Sequence, residues 1–175
     1  MEKIVLGSGK IYVMEYTDTI PTDETIEVEA NLLGLIQGGA SLEYTPTFYE
    51  AKDDFGLVSK KIITDEVAQL NSGIMTWSAE TLKKLVSTGT LTTTSTENKL
   101  EIGGIGNFTD TQYLVHFVHE DAIDGDIRVS LVGSNEGGLS LAFAKDKETV
   151  INAEFKARPN DTKGTLIIYR EEIKA

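Results

Sequence analysis

Between Gly34 and Trp77 the sequence offers two long β-prone arms around a charged tip, and any fold must accommodate them. The first arm climbs from Ala40 to Tyr49 after a Gly38-Gly39 pair. The chain breaks at Glu50-Ala51-Lys52-Asp53-Asp54-Phe55-Gly56 and returns through Leu57 to Ile63. Two extended arms joined by a polar tip ending in Gly predict a β-hairpin with a long loop. Side chains alternate across a strand, so Leu42 and Tyr44 share one face with Phe48 further along it. Ser41, Glu43, Thr45 and Thr47 share the other, so one face can enter a core while the other meets water. The segment Thr64 to Leu70 is compatible with one capped helical turn or with more strand, and Ile62-Ile63 before it favours strand. The tip carries Glu50, Lys52, Asp53 and Asp54, framed by Tyr49 and Phe55. Aromatic residues on a loop need cover: they fold back on the base of the hairpin or dock on another subunit.

The remaining chain reads as short strands between turns. Ile11, Val13 and Glu15 alternate with Tyr12, Met14 and Tyr16 in a first strand, behind the bend Gly7-Ser8-Gly9. Thr17 to Glu29 is an acidic loop or edge segment with Asp18, Asp23, Glu24, Glu27 and Glu29, charges that discourage stray edge pairing. A helix is expected from Ser78 to Thr88. Ser78 caps it, Ala79, Leu82, Leu85 and Val86 form its apolar face, Glu80 and Lys84 pair on the solvent side, and a left-handed Gly89 ends it. So short an amphipathic helix must lie on something apolar, most simply the outer face of a sheet. Thr90 to Ile102 predicts a hairpin, and Gly103-Gly104-Ile105-Gly106-Asn107 a loop. Tyr113 to Glu120 and Ile127 to Val132, around Asp124-Gly125, predict another hairpin. Leu139 to Phe143 and Ile151 to Ala157 continue the alternation. Thr165 to Tyr169 is apolar on both faces, which suggests a central or covered strand. Recurring strands punctuated by turns argue for a mainly β protein, a sandwich or barrel-like sheet pair with one packed helix.

Length and charge then bound the function. A chain of 175 residues fits one domain with arms and can bury a core without staples. It has no Cys, so disulfides and thiolate metal sites are excluded. Met1 to Leu6 lacks the apolar run of a signal peptide, and no run approaches the roughly 18 apolar residues of a membrane span. A soluble protein made in the cytosol is expected, with no membrane partner. The formal charge of −12 argues against a sequence-reading nucleic-acid binder. No constellation carries chemistry. His116 and His119 sit three apart in a strand and point to opposite faces. Asp121, Asp124 and Asp126 lack the closing Glu of a calcium loop, Val132 standing in its place. Gly103-Gly104-Ile105-Gly106 leads into a strand pattern rather than a helix, and Gly7-Ser8-Gly9 lacks a nucleophile elbow. No catalytic residue, metal site or cofactor is expected.

The order of these features resembles the major tail tube protein of long-tailed (siphovirus-type) bacteriophages. The likeness rests on the N-terminal run Gly7-Ser8-Gly9-Lys10-Ile11-Tyr12-Val13, the Gly38-Gly39 hairpin, and Ile74-Met75-Thr76-Trp77 followed by the helix Ser78 to Leu85. Two more hairpins and a closing strand, Thr165 to Tyr169, complete it. The resemblance implies a single tail-tube domain over residues 1–175, divided into an N-terminal strand and arm (1–30), the long hairpin (34–77), the helix (78–88) and the remaining strands (90–175). It implies a virion protein assembled in the host cytoplasm, forming hexameric rings that stack into a tube through which DNA passes without specific binding. Its partners would be copies of itself and the tape measure, tail terminator and distal tail proteins. Tyr49, Glu50, Lys52, Asp53, Asp54 and Phe55 would form the joint between rings, Ser41, Glu43 and Thr45 would face the lumen, and the helix would lie away from the lumen. A tube protein of a contractile tail or secretion machine, and a monomeric β-sandwich binding module, are the alternatives.

Overall fold

The computed structural model describes residues 7–174, so expectations for Met1 to Leu6 lie outside the described residues. The strands are β1 (Lys10–Glu15), β2 (Leu32–Gly34), β3 (Ile36–Lys52), β4 (Ser59–Ile74), β5 (Gly89–Thr93), β6 (Asn98–Ile102), β7 (Tyr113–His119), β8 (Ile127–Asn135), β9 (Ile151–Arg158) and β10 (Ile167–Glu171). The helices are α1 (Asp23–Ile26) and α2 (Ala79–Leu85), with 3-10 turns at Glu29–Asn31 and Ile105–Asn107. The protein is mainly β. One large antiparallel sheet runs β2-β1-β7-β8-β9-β4-β3, and β5 and β6 form a separate hairpin.

β8 is the branch point of the sheet. β7 takes one edge of it; β10 takes the other along Ile127 to Leu131, and β9 takes over along Val132 to Asn135. The handover needs Gly133, because a Cβ there would lie 1.9 Å from the carbonyl oxygen of Lys156. The sheet has a core on each face. Ile11, Val13, Val115 and Leu131 share the principal core with Leu70, Ile74, Ile151 and Phe155. The two ends of the sheet therefore share one core, a sandwich-like arrangement. On the opposite face Tyr12, Leu114, Val118 and Val132 pack beneath Ile26 of α1.

α2 joins the principal core through Leu85, with Leu82 packed against it and Ala79 and Val86 half-buried. Ser78 caps it, its Oγ accepting from the Thr81 amide at 3.3 Å. The end of the helix differs from expectation. It stops at Leu85, Val86 is extended, and Gly89 has no positive φ. Gly89 instead opens β5 in a buried place where a Cβ would meet Val86 Cγ2 at 2.7 Å. Lys84 does not pair with Glu80; its Nζ donates to Val13 O at 3.0 Å. Burial there pushes the Lys84 ammonium below its ordinary pKa.

Other expectations shift at their edges. Thr64 to Leu70 is strand within β4; the first hairpin arm runs further than expected, to Lys52, and the return arm starts later than expected, at Ser59 rather than Leu57. Leu139 to Phe143 forms no strand: Leu139 and Leu141 pack on the core, but Phe143 is exposed. β10 is not central. It pairs only with β8, because β9 has already taken the next place along that edge. Thr17 to Glu29 contains α1, which the acidic composition concealed.

Candidate assembly surfaces and a buried ion network

β3 and β4 pair along their whole length, from Ile36 opposite Ile74 to Lys52 opposite Ser59. Two irregularities shape the ribbon. Gly38 and Gly39, both at positive φ, bulge from β3 near its base, where an L side chain would be strained. Thr64 is the extra residue between the Thr47–Asp65 and Phe48–Ile63 pairs, and its Oγ1 donates to Thr47 O at 3.3 Å. Near the base, Ala68, Leu70, Ser72 and Ile74 are buried on one face of β4. From Ser59 to Glu66 every β4 residue is exposed.

The tip is a built turn. Asp53 Oδ1 accepts from the Val58 amide at 2.7 Å and Oδ2 from the Phe55 amide at 3.3 Å, while Gly56 adopts φ 68°. The Val58 amide first, then that of Phe55, hold the Asp53 carboxyl below its ordinary pKa. Phe55, Leu57 and Val58 stand out from this turn at 86%, 84% and 69% exposure. Tyr49 is exposed too, so the aromatic residues do not fold back on the hairpin base. Of the residues expected at the joint, Tyr49, Glu50 and Lys52 lie at the end of β3, and Asp53, Asp54 and Phe55 lie in the turn. Phe48 and Ile63 pair on one face, with Lys61 Nζ 4.1 Å from the Phe48 ring centre; Tyr49 and Ile62 pair on the other. The distal ribbon thus carries an apolar pair on each face, among Glu50, Lys52, Lys60 and Lys61.

Ser41, Glu43 and Thr45 are exposed together on the face opposite the core. Glu43 accepts from Gln69 at 3.3 Å and from Asn71 at 3.4 Å. Lys156, opposite Gln69, is paired with Glu136 at 3.3 Å. The outer edge of β3 has no strand beside it among the described residues. Pro46 is tolerated there because an edge strand can do without one amide donor.

A second cluster was not visible in the sequence. His116 is 1% exposed on β7; its Nε2 lies 2.9 Å from Glu27 Oε1 and its Nδ1 lies 2.8 Å from Ser130 Oγ. An ionised Glu27 accepts only, so Nε2 carries the proton and Nδ1 accepts from the Ser130 hydroxyl. Arg128 Nε donates to Glu27 at 2.7 Å, and Arg170 grips Asp23 through two nitrogens. Burial pushes His116 below the ordinary histidine value. Burial alone would raise Glu27, but hydrogen bonds from Arg128 and His116 outweigh it and hold the carboxyl low. The Arg170 hydrogen bond does the same for Asp23. The network ties α1, and with it Ile26, to β7, β8 and β10.

The row Glu27–His116–Ser130 has the order of a proton relay, but Ser130 is 2% exposed and no substrate can reach it in this conformation. Asp23, Glu27 and His116 place ligand atoms within 4.8 Å of one another. Their carboxylates already accept from Arg128 and Arg170, and two guanidinium charges beside the site oppose a cation. His119 points to the other face, its Nδ1 donating to Ser8 O at 2.7 Å. The links from Glu27 to His116 and Arg128 and from Asp23 to Arg170 span 89, 101 and 147 residues of sequence, so no local spacing announces them.

No protein-family model matches the chain, and no curated protein matches it. No helix of the described residues is long and apolar enough to cross a membrane.

Proposed function

We propose that the chain is a structural subunit that polymerises with copies of itself into rings, and that the rings stack into a tube of the phage-tail type. The carrying observation is the distal hairpin: a two-stranded ribbon with exposed apolar side chains on both faces, and Phe55, Leu57 and Val58 at its tip with none of the described residues over them. Such a ribbon is marginal in water by itself. Exposed apolar groups gathered at one end of a molecule mark an interaction site.

Ring closure draws on the sheet margins. The outer edge of β3 and the free edge of β10 each leave a row of backbone donors and acceptors unpaired. Joining two such margins from neighbouring copies satisfies both and removes an aggregation hazard. Six subunits to a ring follow from the resemblance. The face carrying Ser41, Glu43 and Thr45 suits a lumen, since its Glu43 is acidic and Lys156 is already neutralised by Glu136. A wall without free cations does not hold passing DNA, because each lysine or arginine on a phosphate adds affinity. The reading assigns the chain no catalytic step, and places it in the virion tail.

Sedimentation and negative-stain microscopy of concentrated protein test this. Rings or tubes are expected. A single sedimenting species at millimolar strength would overturn the proposal and favour a monomeric binding module.

A further inference from the structure

The tip of the hairpin has a direction, and that direction restricts what it can meet. β4 leads away from the tip. β9 pairs with β4 antiparallel and β8 pairs with β9 antiparallel, so β8 also runs away from the tip. Its last residue, Asn135, is the far end of β8; through Phe155 it stands level with Leu70, eleven residues of β4 back from Ser59, and Tyr113 of β7 lies opposite Gly133 beside it. That far end carries a second apolar patch: Ile102, Ile105 and Phe108 are 52%, 96% and 57% exposed. Ile102 and Phe108, with Val86 and Leu139, line a depression of about 560 Å³. Its walls are fixed by Asn135 Nδ2 donating to Leu85 O at 2.9 Å and by the Thr109 amide donating to Ser87 O at 2.9 Å. Arg158, paired with Asp110 at 2.8 Å, and Glu136 give its rim charges of both signs. Asp54 gives the tip a charge opposite to that of Arg158.

We propose that the tip of one copy seats in this groove of the next copy, Phe55 entering between Ile102 and Phe108, with Asp54 toward Arg158. The proposal rests on the self-assembly reading above and adds the surface that receives the tip. Two different patches can be met by a reciprocal two-fold pair or by a heterologous contact, and only the second builds a stack. The heterologous contact repeats along the axis and leaves one tip and one groove open at the ends of every stack. Burying Phe55, Leu57 and Val58 in the groove removes the most exposed apolar side chains at one end and Ile102 and Phe108 at the other.

The absence of cysteine makes the contact testable with single thiols. Asp54→Cys marks the tip and Ser87→Cys marks the groove wall, and both leave the apolar residues in place. The two proteins are mixed under assembling conditions and treated with a short bismaleimide. The linked peptides are read by mass spectrometry, and the same samples are imaged by negative stain. The expected result is linkage between positions 54 and 87 in the mixture, and none in either variant alone. Tubes without that linkage would overturn the groove and leave self-assembly standing. Linkage of Asp54→Cys to itself would also overturn it, in favour of a tip-to-tip contact. Linkage without tubes would uphold the joint and remove the tube. Single chains with neither would remove both.

Discussion

The two halves of β4 make an instructive pair. From Val67 to Ile74 the strand alternates, and Ala68, Leu70, Ser72 and Ile74 are buried. From Ser59 to Glu66 it is exposed throughout, although Ile62 and Ile63 are as β-prone and apolar as anything in the body. Both halves have β3 on one side. Only the inner half has β9 on the other, along Gln69 to Ile74, and a core beneath. A ladder of hydrogen bonds thus continues well past the point where burial ends. In the outer half the local support comes from cross-strand pairs such as Phe48–Lys61 and Tyr44–Glu66, the latter a hydrogen bond of 2.8 Å. The inner half is stabilised by its own chain; the outer half sets Ile62 and Ile63 among Lys60, Lys61, Asp65 and Glu66 with no core beneath them.

That contrast breaks most sharply at Phe155, which is 0% exposed and pairs with Leu70. Phe155→Ala should cost about 3–5 kcal/mol, from lost transfer energy and the cavity left behind. Domains have total stabilities of about 5–15 kcal/mol, so much of the fold is at risk. Urea denaturation should show a large fall in midpoint. A small fall would mean that the body is as loosely held as the finger.

The ion network under α1 sharpens the picture through pH. His116 and Glu27 both have folded pKa values below their ordinary ones. The unfolded chain therefore takes up each proton first as pH falls, and stability falls with it. The His116 contribution is complete above about 6.5 and declines below that; the Glu27 contribution is complete above about 4.3 and is lost as pH falls through its folded value. Stability measured against pH should drop in two steps. His116→Asn should remove the upper step, and Glu27→Gln should reduce the lower, to which Asp23 and Asp53 also contribute because their folded pKa values are held low too. Glu27→Gln should also cost about 2 kcal/mol at neutral pH, by leaving Arg128 and His116 short of an acceptor. A flat profile between pH 7 and 5 in the unaltered protein would contradict the burial of His116. The finger contains no histidine and should not respond over that range.

A smaller effect is expected at Ser78. Its Oγ accepts from the Thr81 amide, so Ser78→Ala should cost about 1 kcal/mol, visible as a modest fall in Tm. It belongs to the body and should leave assembly intact.

Local chemistry was legible in the sequence, and long-range closure was not. The β-prone runs in Ile11 to Tyr16, Tyr113 to His119 and Ile127 to Val132 gave those strands, although the structure buries them on both faces rather than one. Ser78 marked the helix start because capping is a local hydrogen bond. The helix end was misread at Gly89, where close packing against Val86, rather than a left-handed turn, requires glycine. The same limit hid the site around His116. Glu27 looked like one more solvent acid because the arginine that neutralises it lies at position 128. β10 looked central because its composition is apolar on both faces, and composition does not record that β9 already occupies the neighbouring place. The hairpin tip was legible as a tip, since Asp53 and Gly56 are turn residues, but the receiving groove is assembled from five separated stretches and has no sequence signature.

The last test has the smallest expected effect on stability and the largest on behaviour. Phe55 is 86% exposed, with its backbone amide in the Asp53 turn and its side chain in solvent. Truncating it removes no packing within the subunit, so Phe55→Ala should change stability by less than about 0.5 kcal/mol. The apolar surface that it would bury against another copy is lost in full, so polymerisation should fail while thermal unfolding is unchanged. Ile62→Ala, on a face of the finger away from the turn, should weaken assembly less. If Phe55→Ala lowers Tm as a core substitution does, the tip packs within its own subunit in solution and the division of β4 into a covered and an uncovered half is wrong. If Tm holds and tubes of normal length still form, the finger is uncovered but is not the joint.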